Sequence, residues 1–580
     1  MKFNPRVLFT IVGGAVLINP AYAQEQKGDE LEEVVVTGLR GSLKASMEVK
    51  RDASGVVDAI SAEDIGKFPD TNLAESLQRI TGVSIDRVNG EGSNVTVRGF
   101  GPTFNLVTLN GRQLPAASVG TITGNPTTAG SQGTSRSFDF ATLASEGVSG
   151  LEVYKTGNAA VASGGIGATI NIKTLKPLEG GNRASVGVKG VYDQGSDNEI
   201  TPEVSGLMSW ANSSETFGVS AFASYQERKS SVRGISVEQY QFFDYSPDLS
   251  FLSNADVENE PEVGSLMALP TNIGLSEAKI DRKRINGMVT VQFAPSENTT
   301  ITADAMYTQN KLAQDSLVPG MWFSRQFTSV EFDGSDVVNT AIRVIEPFAN
   351  PGGRGKDLFN ANYDDNTKDE AHTLGLNLEQ KVGDNLTLSF DLATSSSESG
   401  GDGPGGYNSI RMNVAAAGAG WQAVDWSGNV PAITIGVLDN IANAHGNGND
   451  VLDIPDISTQ TFRTIDSRQK TDTDQLNLSG AWNPDEGIAV RFGVGAMKNE
   501  MRAYSRQTED YLGGWGVGAD PDGQSDIPDP SLLTQVNILS TFNDLSFGGY
   551  TDTGSIPGSG YYFTRLGQEA FRVDPWSFAH

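Results

Sequence analysis

The 580-residue chain contains no cysteine and only three histidines, His372, His445 and His580. Disulfides and thiolate metal sites are therefore excluded, and three scattered imidazoles do not supply the nitrogen donors of a zinc or iron cage. No metal and no cofactor is expected. Positive charge is scarce: 42 Lys and Arg stand against 71 Asp and Glu, a net of −29. A phosphate backbone demands a basic face, so nucleic acid is not an expected partner. Long apolar runs are missing as well, the best being residues 7–18, well short of the roughly 20 residues a membrane-crossing helix needs. The chain also shows no Gly-x-Ser-x-Gly elbow with triad partners and no carboxylate pair assignable to hydrolysis from spacing. Enzymatic chemistry is not expected.

What is present begins with an export signal. Lys2 and Arg6 form a charged start, residues 7–18 an apolar centre, and Ala21-Tyr22-Ala23 a small-x-small cleavage site before Gln24. Residues 1–23 thus read as a cleaved signal peptide, whose loss moves the net charge to −31. Residues 24–50 follow as a flexible segment. Within it Glu33, Val34, Val35, Val36, Thr37 and Gly38 make a short β-prone stretch. Too isolated to bury itself, it is suited to capture as an added strand on a partner's sheet edge.

Residues 51–176 read as a Gly-rich α+β unit. Ser61-Ala62-Glu63-Asp64 has the form of a capping box with Asp in place of Glu. After Pro69, Asp70 or Thr71 is placed to cap a helix in which Leu73, Leu77 and Ile80 share a face, with Gly82 at its C′ position. Strand-like pieces follow at 83–85, 95–97, 106–109, 151–154 and 170–172, and Asn110-Gly111 is a type I′ hairpin signal. Arg98 and Arg112 are candidates for pairing with carboxylates. Gly164, Gly165 and Gly167 mark tight turns.

Residues 183–580 alternate with period two over segments near the length of a tilted transmembrane strand. Nine are expected: 184–192, 204–211, 216–226, 285–293, 300–308, 373–379, 385–393, 475–482 and 488–497. In 385–393, Leu386, Leu388, Phe390 and Leu392 oppose Thr387, Ser389 and Asp391. Short turns at 212–215, 295–298, 382–384 and 483–487 alternate with long loops at 229–283, 309–371 and 395–472. A soluble sandwich does not predict that alternation, whereas an outer-membrane barrel does. The expected fold is an all-β transmembrane barrel, partial in this chain, with the α+β unit in its lumen. A barrel needs closure with no free edge, and wide barrels use ~22 strands, so with nine the chain reads as the N-terminal portion of a longer protein.

Six fragments, in order, resemble the TonB-dependent outer-membrane receptors. Residues 31–38 look like a TonB box, residues 74–83 like the plug helix, and Val97-Arg98-Gly99-Phe100 like the (I/V)-R-G-(F/M) motif. Leu109-Asn110-Gly111-Arg112 resembles the D/N-G hairpin and Glu152-Val153-Tyr154-Lys155-Thr156-Gly157 the E-V-x-K-G-P segment, with Thr156 and Gly157 departing from it. Residues 164–172 are similar to G-x-x-G-G-x-I-N-I, with Ala168 for the last Gly. Residues 38–47, 65–73 and 134–140 narrow the likeness to the Xanthomonas–Caulobacter type. The resemblance implies a cell outer-membrane location, TonB with its inner-membrane energising complex as partner, outer-membrane lipid around the barrel, and uptake of a nutrient, often an oligosaccharide in that branch.

The residues themselves favour a neutral ligand. Trp322, Trp421, Trp426 and Trp515 fall in expected external loops, where flat rings stack on sugars; Phe104, Asn105 and Arg112 are further candidate contacts on the luminal unit. Trp210 and Trp482 suit an interfacial girdle. The competing readings are a siderophore, haem or cobalamin receptor of the same fold, and a secreted β-rich enzyme or adhesin. Two acidic runs, 450–456 and 520–526, lack EF-hand spacing and read as solvated loops rather than calcium sites. N-terminal sequencing of the exported protein should begin at Gln24; a first residue of Met1 would overturn the signal-peptide assignment.

Overall fold

The computed structural model describes residues 47–51, 53, 55–61, 72–119, 137–157, 161–195, 199–237, 239–347, 356–426, 431–437, 449, 451–484, 488–512, 530–536, 564–565, 570–573 and 575. The signal peptide, the β-prone stretch 33–38 and Trp515 lie outside them.

Nine long strands form the wall: Arg183–Tyr192, Ile200–Ala211, Phe217–Ser236, Asn272–Ser296, Thr299–Trp322, Lys356–Val382, Leu386–Gly401, Ile457–Trp482 and Val490–Tyr511. Each pairs antiparallel with the next. The strand pairings run in a closed circuit. Further strands, Ser409–Asp425, Ala432–Val437 and Thr564–Arg565, pair above the wall with Lys356–Val382, Ile457–Trp482 and one another, and no register joins the first long strand to the ninth among the described residues.

The outer face carries a narrow apolar band. On neighbouring strands Leu388, Leu392, Leu476, Leu478, Trp482, Phe492 and Val494 are exposed, while inward neighbours such as Thr473 and Gln475 are buried. Trp210 and Trp482 are exposed at the band's lower rim, the former edge-to-face with Phe217 at 6.3 Å. Above the band the same outward face turns to Asp472, Lys470 and Arg468. A band about 25 Å tall is what a strand-crossed bilayer selects.

The strands run further than the apolar alternation indicates. The expected loops 229–283, 309–371 and 395–472 are largely paired backbone, because hydrogen bonding continues past the band while the outward side chains become polar. This corrects the placement of three tryptophans. Trp322 ends the fifth wall strand, Trp421 lies inside Ser409–Asp425, and Trp426 follows it directly. The extracellular ends share a core of their own, with Tyr245, Met267, Phe332, Met412 and Val424 buried, and Trp426 packs against it.

The luminal unit is a five-stranded sheet in the order Val57–Ser61, Val148–Tyr154, Ala168–Thr174, Asn105–Leu109, Arg112–Gln113, beside a hairpin of Val83–Val88 and Glu91–Val97. Its helix is short, Leu73–Leu77, and the cap is Asn72 rather than Asp70 or Thr71. The Asn72 side chain accepts from the Ala74 and Glu75 N–H groups, and its amide donates to the Gly92 carbonyl at 2.6 Å, which fixes the helix on the hairpin. Leu73, Leu77, Val107, Leu151 and Ile170 form the core, and Phe222, Met288 and Met306 of the wall extend it.

Replacing the outward Leu478 by Arg should destabilise the wall by about 2–4 kcal/mol if this residue lies near the bilayer midplane. Urea unfolding in phospholipid vesicles measures the cost; a neutral outcome would mean that this face does not meet lipid.

Candidate functional site

Two tight hairpins shape the plug, and one of them sets its contact with the wall. Asn110 and Gly111 have φ of 52° and 83°, the left-handed pair that a type I′ turn requires, and the turn brings Leu109 opposite Arg112. The Asn110 amide donates to Thr174 Oγ1 at 2.9 Å and to Asp304 at 3.1 Å, while the Gly111 N–H donates to Asn171 Oδ1 at 2.8 Å. The loop is thereby fixed on the plug sheet with Arg112 pointing into the wall. Arg98 and Gly99 form the second such turn, with φ of 53° and 80°. There the Arg98 guanidinium donates to the Gly167 carbonyl at 2.7 Å. Gly167 has no room for a side chain, since a Cβ would lie 2.5 Å from Asn105 Oδ1.

Arg112 is 3 % exposed and engages two wall carboxylates. Its Nε and Nη2 fork onto Asp391 at 2.9 and 2.8 Å, and Nη1 donates to Asp304 at 2.6 Å. Burial alone would lower the guanidinium's proton affinity; Asp391 and Asp304 raise it above the usual value. Asp391 takes a further hydrogen bond from Asn377 at 3.1 Å. Gly375 leaves the space, because a Cβ there would overlap the guanidinium.

A second contact reverses the signs. Plug Glu91, 1 % exposed, meets Arg228 of the wall at 2.6 Å and also pairs with Arg282. Nearby, Lys189 of the wall bridges plug Glu146 at 2.6 Å and wall Glu203 at 2.7 Å. Between these ion pairs residues 113–119 climb the wall. The Gln113 backbone exchanges hydrogen bonds with the Gln475 amide at 3.0 Å each way. Higher up, Thr471 donates to the Ala116 carbonyl and the Val119 N–H donates to Ser399. Glu91 and the polar wall residues were not singled out in the sequence. They look like any solvated residues until strand register points them inward.

The candidate ligand contacts do not converge. Asn105 is buried, donating to the Val95 carbonyl at 2.7 Å, so it braces the plug. Phe104 is exposed and makes an edge-to-face pair with Phe100. Trp421 is fully buried and presents no face to a ligand. Trp322 is 40 % exposed and stacks obliquely on Phe359 at 5.1 Å; Trp426 is half-buried. Of the acidic runs, Asp453 and Asp456 are described, and they form a capping box.

Between the plug segments 114–118 and 137–143 and the wall lies a cavity of ≈ 80 Å³. Asp139, Asp369, Glu370, Asn310, Thr308 and Thr367 are among its lining residues, with no Lys, Arg or His among the described ones. Burial pushes the Asp139 carboxyl above the usual carboxylate range, against hydrogen bonds from Ser93 and the Ala141 N–H and the field of Arg284.

Arg112→Met should destabilise the plug–wall contact by about 3–5 kcal/mol, because Asp304 and Asp391 would be left buried without their cation. In a double-mutant cycle with Asp391→Asn, read by denaturant unfolding, the two losses should fall short of additivity. Strict additivity would show that the pair is not coupled.

Residues 49–169 match the family model described as TonB-dependent Receptor Plug Domain. No curated protein matches the chain. Among solved structures the chain is similar to the ferric enterobactin receptor PfeA of Pseudomonas aeruginosa, at 12% identity over 79% of this chain and 72% of that one, TM-score 0.31. It is similar also to the ferric citrate transporter FecA in its unliganded form, at 13% over 83% and 81%, TM-score 0.27. The third is the copper transporter OprC, at 12% over 79% and 75%, TM-score 0.30. Likeness this distant carries no argument about ligand. The chain carries the plug domain of the TonB-dependent receptors, set within a β-barrel wall of outer-membrane type.

Proposed function

We propose that this chain is a TonB-dependent transporter that moves a nutrient across the outer membrane. The observation that carries the reading is the plug itself, which is held to the luminal wall by buried ion pairs at Arg112 and Glu91. A passive pore gains nothing from such a stopper. Removing it costs the energy of uncovering buried charges, and a mechanical input supplies that energy. Residues 33–38 are proposed as the handle: strand addition by TonB gives a grip that resists pulling along the strand. The signal peptide at 1–23 and a cell outer-membrane location belong to the same reading.

For the substrate we favour an oligosaccharide, in line with the resemblance to the Xanthomonas–Caulobacter type. The support is chemical. The lumen-facing Arg228 and Arg282 are engaged by Glu91. An anionic ferric chelate needs free cations. A polyhydroxylated ligand needs hydrogen-bonding groups. Of the loop aromatics, Trp322 retains an exposed face.

The test is calorimetry with a panel of neutral oligosaccharides and ferric siderophores, paired with uptake by cells that express the protein. Saturable saccharide binding is expected. Deleting residues 33–38 should abolish uptake and leave binding unchanged. Binding of siderophores alone would overturn the substrate assignment. Uptake that survives the deletion would overturn the energy coupling.

A further inference from the structure

The cavity between plug and wall mixes apolar residues such as Leu114, Phe138 and Met306 with carboxylate, amide and hydroxyl groups, and it is much too small for a saccharide, whose pockets run to roughly 300–1,000 Å³. At ≈ 80 Å³ it fits an ion and a few waters. Two carboxylates face it from opposite bodies, Asp139 from the plug and Asp369 from the wall, and Asp369 feels the charge of Asp139. Asp139 is held by Ser93 at 2.7 Å and by the Ala141 N–H at 2.9 Å. Asp369 takes a hydrogen bond from Asn310 Nδ2 at 3.3 Å.

An independent observation comes from Asn310. It is 5 % exposed. A carboxylate only accepts, so the amide nitrogen must face Asp369, and the amide oxygen is left over. That oxygen has no hydrogen-bond partner, and Asn310 lines the cavity. An orphaned buried acceptor costs about 1–3 kcal/mol. Two carboxylates therefore share the pocket with a carbonyl oxygen that has no donor.

Nearby cations are otherwise engaged. Arg284 acts on Asp139 through space and donates to the Ala141 carbonyl and Gln226. Arg228 and Arg282 line the adjoining cavity, and both pair with Glu91. Asp369 is met by neutral groups, the Ser399 and Asn310 side chains.

We propose that Asp139, Asp369 and the Asn310 side-chain oxygen bind a hard divalent cation, calcium by preference, that ties the plug to the wall. Thr308 and Thr367 add hydroxyl oxygens to the lining, and waters complete the six to eight ligands calcium takes. With two carboxylates the affinity belongs to the weak, extracellular class, roughly 10⁻⁴–10⁻³ M. The described residues hold no group of three or more acidic or imidazole side chains suited to a metal; the amide oxygen takes the third place. The site uses no residue of the acidic runs at 450–456 and 520–526, and it does not depend on which nutrient is carried.

The experiment is calcium titration by calorimetry of the full chain, purified in detergent and stripped with chelator. Asp139→Asn, Asp369→Asn and Asn310→Ala are compared with Asp453→Asn as a loop control. Circular dichroism confirms that each variant is folded. Saturable binding is expected, weakened at least about tenfold in each of the three site variants and unchanged in the control. If one site variant fails to fold, the remaining two still decide the question. Absence of saturable binding would overturn the proposal, as would binding that the site variants leave unchanged. Loss of binding in the control alone would assign the ion to the loops and would also overturn it.

Discussion

Charge buried inside a barrel has to be paired, and that constraint organises this protein. Taking a guanidinium out of water costs several kcal/mol unless carboxylates meet it with good geometry. Arg112 meets that demand with a fork onto Asp391 and a single bond to Asp304. The two aspartates stand on different wall strands, the seventh and the fifth, so one plug side chain fixes the plug against both. Everything that places Arg112 is local: the Asn110-Gly111 turn, its anchoring to Asn171 and Thr174, and the space at Gly375. Because the Glu91 contact carries the opposite sign, displacing the plug uncovers positive and negative charge on both bodies. Partial movement leaves some of those charges unpaired. The seat therefore favours two states, plug in or plug displaced, over a continuum between them.

Much of this was legible in the sequence, for a reason specific to membranes. Lipid imposes an apolar outward face on every other residue of each strand, and all nine expected segments correspond to wall strands in the expected order. The pattern ends where lipid ends. Above the band, paired strands such as Lys356–Val382 carry polar residues on both faces, so periodicity could not extend them, and the loop tryptophans were misplaced as a consequence. Trp421 shows the cost: a ring expected to face ligand is buried within a strand.

The plug was legible through its turns rather than its helix. Asn110-Gly111 needs left-handed backbone and declared itself. The helix did not, because a cap is defined by which side chain reaches the free N–H groups. Asn72 does so while also binding the Gly92 carbonyl, a tertiary contact that no local pattern contains. Glu91 and Asp304 were hidden for the same reason, whereas the alternation in 385–393 already set Asp391 on the face opposite the apolar residues. A lone carboxylate in a strand reads as a solvated surface residue until the register is known, and only the three-dimensional pairing identifies it as one half of a buried contact.

The plug–wall seam also differs along its height. Low down, the Arg112 ion pairs and apolar contacts with Phe222, Met288 and Met306 close it. Higher up, backbone groups of residues 113–119 bond to wall glutamines, serine and threonine, and beside them the packing opens into the Asp139–Asp369 cavity. Neutral hydrogen bonds contribute about 0.5–1.5 kcal/mol each, and charge-assisted ones about twice as much. Across the lumen, Glu91 carries buried ion pairs to the same height through Arg228 and Arg282. The seam is thus weaker per contact only along residues 113–119. In the proposed transport cycle that stretch is the part of the plug cheapest to shift, while the ion pairs of Arg112 and Glu91 hold the rest in place. The difference follows from where charged and neutral partners sit along strands whose outward faces are fixed by lipid.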